Sequence, residues 1–152
     1  MKLAEALVLR ADCQRKIAQL RQRLERVVKV QEGEEPAEDP NLLIQELEHT
    51  VSELTKLVVR INKTNALTSF EGNQTIADVL SERDSIMQRR KLLDEILENS
   101  TIRQDRFSRS EVKFYRTIDV KAIQQRIDDL SKQYRELDFK IQQKNWTIDL
   151  IE

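Results

Sequence analysis

The one histidine of the chain, His49, stands three residues after Glu46. On a helix, Glu-x-x-His is the spacing with which ferritin-like bundles hold paired irons. Such a centre takes two copies of the motif, and a second histidine does not exist. Position 49 also falls off the apolar seam set by Leu47, Val51 and Leu54, so neither a metal site nor a cofactor is expected. The same shortage argues against a Ser-His-Asp or Cys-His nucleophile, because His49 and Cys13 have no orienting partner that the sequence identifies. Cys13 reads most simply as a small core residue. With two glycines in the chain, neither a phosphate-cradling Walker loop nor a three-glycine dinucleotide turn is expected. Carboxylates lie all along the charged helix faces and single out no acid–base couple. No catalytic residue is assigned, and the expectation is that the chain is not an enzyme.

Two other groups have residue types suited to binding. If the helices fold antiparallel, Arg10, Asn62, Asn65, Arg83, Asn145 and Trp146 gather at one end of a bundle. Two guanidinium groups beside three amides form a candidate anion or carboxylate site. The plainer reading, and the favoured one, is that Arg10 and Arg83 pair with acids such as Glu136 and fix helix register. The second group lies in residues 102–117, where Arg103, Arg106, Arg109, Lys113 and Arg116 are interleaved with Phe107, Phe114 and Tyr115, against only Asp105 and Glu111. Bases stacking on rings, with phosphates meeting arginines, would suit single-stranded nucleic acid. Here the favoured reading is that the five acids of residues 32–40 neutralise this arm, within one chain or between subunits.

The elements that must position these residues are helices. Charged residues make up 35% of the chain, and two Gly and two Pro leave few turn formers, which is a helix-rich composition. A first helix is expected over about 2–31, through Leu3, Ala6, Cys13, Ile17, Leu20, Leu24 and Val27 at steps of three and four. Gly33, Pro36 and Pro40 stop it. A second covers about 41–66 through Leu43, Leu47, Val51, Leu54, Leu57, Val58 and Ile61. A turn holding Gly72 follows, with Thr75 and Asp78 spaced as a capping box. The third helix runs to about Asn99 through Ile76, Val79, Leu80, Ile86, Leu93 and Leu97. Alternation through Val112, Phe114, Arg116 and Ile118 suggests a short strand or extended arm. Asp119 then caps a fourth helix that carries Val120, Ile123, Ile127, Leu130, Tyr134, Leu137 and Ile141 on one seam, to near Trp146. The expected fold is all-α: one antiparallel four-helix bundle domain over 1–152, with coiled-coil-like packing, made of hairpins 1–67 and 75–149 and the arm 102–117.

The hairpins look duplicated. A shift of 80 residues pairs Leu43 with Ile123, Leu47 with Ile127, Leu57 with Leu137, Ile61 with Ile141 and Asn65 with Asn145. A shift of 73 pairs Leu3 with Ile76, Ala4 with Ala77, Ala6 with Val79, Leu7 with Leu80 and Arg10 with Arg83. The two polar matches weigh most, since polar residues on a seam are unfavourable unless needed.

Several strings carry a resemblance that runs almost end to end: MKLAEALVLRAD at the start, KVQEGEEPAEDP in the first loop, INKTNALT after the second helix, RQDRFSRSEVKF in the arm, and NWT near the end. In these the chain resembles a family of small bacterial proteins of unestablished function, some members of which carry the label septicolysin. The resemblance implies a bacterial helical protein and supplies no mechanism. The label would imply a cholesterol-dependent pore-forming toxin, a much larger, secreted, β-rich class, and the residues here argue against it.

With 26 basic and 27 acidic residues the net charge is −1, so no global field draws the protein to nucleic acid or anionic membrane. A single cysteine excludes an intramolecular disulfide. Glu5, Arg10 and Asp12 spoil a signal peptide, no run of apolar residues is long enough to span a bilayer, and a cytoplasmic location is expected. The expected role is protein–protein interaction or assembly as a homo-oligomer, with off-seam apolar residues such as Val8, Val28 and Val30 available for a subunit contact. The alternatives are a nucleic-acid-binding module at the arm, and an anion binder or enzyme at the Arg/Asn end.

Overall fold

A computed structural model describes residues 1–102 and 112–152. Four helices follow in order: α1 (Leu3–Val27), α2 (Pro40–Leu67), α3 (Ile76–Asn99) and α4 (Val120–Thr147). The all-α class is as expected. α1 ends about four residues early. Val28 and Val30 are exposed, so these β-branched residues have nothing to pack on that would offset their weak helix propensity. α2 starts where Asp39 caps it, its carboxylate accepting from Asn41 N at 2.9 Å, with Pro40 in the first turn. α4 starts on Asp119, which accepts from Ala122 N at 3.1 Å. Residues 112–117 carry neither helix nor strand, so of the short strand or extended arm expected there no strand forms.

The described chain divides into two compact units. The first joins Met1–Ala77 to Gln142–Glu152 and contains the α1/α2 hairpin. Leu20, Leu24 and Val27 of α1 pack on Leu43 of α2, with Leu47 alongside, so the helices run antiparallel. The second unit is Asp78–Ile141, in which α3 and α4 line one groove through Leu92, Leu93 and Leu130.

The duplication is written into the backbone of the first unit. After α2, Phe70 N donates to Gln74 O at 2.8 Å and Ile76 N donates to Thr68 O at 3.0 Å. After α4, Leu150 N donates to Met1 O and Leu3 N donates to Ile148 O, both at 2.9 Å. Shifts of 80 and 73 convert one set into the other. The same shifts carry the isolated bridge Ser69–Thr75 onto Lys2–Asp149. Equivalent side chains are buried alike: Leu3 with Ile76, Ala6 with Val79, Ile61 with Ile141, Phe70 with Leu150. The first junction is a covalent turn in which Gly72 takes φ +56°. The second is the same geometry made by the two ends of this chain.

Candidate functional site

Of the residues expected at a polar end, Arg10, Asn62, Asn65 and Asn145 belong to the first unit and Arg83 to the second. Asn145 is buried at 5% exposure, Arg10 and Asn65 are half-buried, and Asn62 is exposed. Among the described residues no hydrogen bond or ion pair joins Arg10, Asn62, Asn65 and Asn145 to one another. Arg83 is paired: its Nη1 lies 2.8 Å from Asp138 Oδ1, and its guanidinium sits 6.0 Å from the Tyr134 ring centroid. The partner is Asp138, where the sequence had suggested Glu136; Glu136 instead stands 4.0 Å from Lys132. Val58 occupies the position equivalent to Asp138 in the first hairpin. Arg10 therefore has no matching acid, and among the described residues it makes no ion pair.

In the arm, Arg103, Arg106, Phe107 and Arg109 lie outside the described residues. Lys113, Phe114, Tyr115 and Arg116 are exposed, the two rings at 73% and 79%. Arg116 Nε donates to Ser100 O at 2.9 Å, which ties the arm's return to the end of α3. In the acidic segment, Glu38 pairs with Arg23 of α1, whose guanidinium holds its carboxyl below the usual carboxylate range. Glu46 is likewise held low by Lys16 at 2.9 Å, and His49 is exposed. Among the described residues no group of three or more metal-ligating side chains comes together.

The surface that sequence reasoning mostly missed lies on the first unit. Met1, Leu9, Cys13, Leu57 and Val59 line an apolar groove of about 690 Å³, bordered by Glu53, Lys56 and Arg60. A second groove, of about 600 Å³, shares Met1 and Leu9 and continues through Val8 to Trp146. Met1, Val8, Val59 and Trp146 are 53–61% exposed. Cys13, expected in the core, is half-buried in the wall of this surface. The available signal was the set of apolar residues off the main seam, of which Val8 had been noticed.

A family model described as a family of unknown function (DUF6847) matches residues 10–150. The chain belongs to that family. A crystal structure of a functionally unknown conserved protein from Corynebacterium diphtheriae is 44% identical, covers 99% of this chain and 99% of its own, and superposes with a TM-score of 0.90. No curated protein matches the chain. The DUF6847 assignment agrees with the uncharacterised bacterial family to which the sequence strings pointed. No described helix is long and apolar enough to cross a membrane.

Proposed function

We propose that this DUF6847 member is a non-catalytic, cytoplasmic interaction bundle that assembles with copies of itself. The observation that carries the reading is the set of large apolar side chains left in solvent on the helices, among them Val8, Leu42, Val59, Leu67, Leu92, Phe139 and Trp146, each at least half exposed. Contiguous apolar surface of this kind is what a subunit contact covers.

Light scattering on the purified chain at low and high salt tests this. Self-assembly predicts a dimer or larger species at both salts; a monomer at both would end the reading. A second reading rests on the exposed rings of Phe114 and Tyr115 beside Lys113 and Arg116: the arm 102–117 binding single-stranded nucleic acid. Titration with oligonucleotides at low salt separates the two, since no shift in mobility or anisotropy would remove the nucleic-acid reading. Anion binding at the Arg/Asn end is the weaker third, because Arg83 is already engaged by Asp138.

A further inference from the structure

The internal duplication provides a control for judging exposed residues: a surface that the fold requires should recur in both copies. Buried positions do recur. The apolar surface over Met1, Val8, Leu9 and Trp146 does not. Shifts of 73 and 80 place Gln74, Ser81 and Glu82 where the first copy has Met1, Val8 and Leu9, and place Ala66 where the last turn of α4 has Trp146. Among the other apolar residues of the grooves, Cys13, Leu57 and Val59 keep apolar equivalents, Ile86, Leu137 and Phe139. The same backbone is therefore stable with polar or small residues at four of these seven positions, and the group formed by Met1, Val8, Leu9 and Trp146 is an addition to the fold.

We propose that this surface is where a second copy of the chain docks, about a two-fold axis. The inference rests on the self-assembly reading and assigns its contact. Three observations select a second copy as the occupant. First, side chains of this size at about half exposure present on the order of 500 Å² per copy, so two copies reach the ~1,000 Å² that a specific interface needs before any rim is counted. Second, the bordering charges are balanced, Glu5 and Glu53 against Lys56 and Arg60, so the surface can face its own copy without net repulsion. Third, those charges are already engaged within the protomer. Glu53 lies 2.7 Å from Lys56, Glu5 accepts from Lys2 N at 2.6 Å, and Arg60 donates to Ile151 O at 3.3 Å. What is left to drive docking is the apolar centre, with Trp146 as its largest member.

The chain carries its own reporters, since Trp146 is its one tryptophan and Cys13 its one cysteine. The test variant is Val8→Ser with Leu9→Glu, which installs what the second copy carries at positions 81 and 82. Light scattering, Trp146 emission and helical circular dichroism are followed over a dilution series of the full chain. The expected result is a salt-resistant dimer with blue-shifted emission in the unmodified chain. The double variant should keep its helicity while its dissociation constant rises by roughly a hundredfold or more. Arg21→Ala, at an exposed position of α1 away from these grooves, should leave the dimer unchanged. A double variant that dimerises like the unmodified chain overturns this assignment and leaves self-assembly standing; a monomeric unmodified chain overturns both. Should the double variant not fold, thiol labelling of Cys13 in the unmodified chain decides. Its rate should fall as the dimer fraction rises, and a rate that is constant across the transition contradicts the proposal.

Discussion

The two junctions of the first unit share one backbone plan and are closed in different ways. Between α2 and α3 the chain itself closes the junction, through residues 68–75. Between α4 and α1, side chains must do that work. Lys2 Nζ lies 2.8 Å from Asp149 Oδ1 and donates to Thr147 O at 3.1 Å. The segment after α4 is tethered to α2 as well: Ile151 N donates to Thr64 Oγ1 at 2.9 Å, and Lys63 Nζ donates to Glu152 O at 2.6 Å. Positions buried in both copies define what the fold requires. Positions that differ, such as Asp138 against Val58 and Ser81 against Val8, define what each copy has added.

That comparison can be broken or sharpened by paired substitutions. The largest effects belong to the shared core. Ile61→Ala and Ile141→Ala, each removing a side chain at 1% exposure, should each cost about 2–5 kcal/mol in urea unfolding. A large loss at one position alone would argue that the junctions are not equivalent. Next comes Thr64→Val, which leaves Ile151 N without its acceptor and should cost about 1–2 kcal/mol. Lys144→Ala, at the equivalent position, should stay within about 0.5 kcal/mol. Asp138→Ala leaves a half-buried Arg83 with only the more distant Asp84, 3.8 Å away, and should cost about 1 kcal/mol after allowance for solvent screening. Arg10→Met has no pair to break and should be near neutral. Equal losses for these last two would mean that Arg10 has a partner after all.

The smallest effect is with pH. Hydrogen bonds from Lys2, Lys16, Arg23 and Lys56 hold the carboxyls of Asp149, Glu46, Glu38 and Glu53 below their usual values. Acids lowered on folding add stability that is fully present above their unfolded values, near pH 4, and lost as pH falls through the folded ones. Asp149 is exposed and Glu38, Glu46 and Glu53 keep much of their surface in solvent, so the urea midpoint should change little between pH 7 and 5 and fall below about pH 4. Lys2→Met should remove the Asp149 share of that fall.

Much of the fold was legible because it rests on period. Apolar steps of three and four placed four helices, and Asp119 and the Pro36/Pro40 segment marked boundaries through caps and breakers. The duplication was legible from paired residues such as Asn65 with Asn145, and the backbone junctions bear it out. Side-chain partners were less readable. Period assigns a residue to a face, but rotamer and axial offset choose between Glu136 and Asp138 for Arg83. The apolar surface was hardest to see, because Met1, Leu9 and Val59 resemble ordinary helix residues until burial is known. Only comparison with Gln74, Ser81 and Glu82 marks it as unusual.

The most direct test of the account is the emission maximum of Trp146, followed with the solution mass over one dilution series. A maximum that moves to longer wavelength in step with dissociation of a dimer is the predicted result. A dimer whose Trp146 emits as a solvent-exposed ring at every concentration would contradict the claim that the apolar surface beside the α4/α1 junction is the subunit contact.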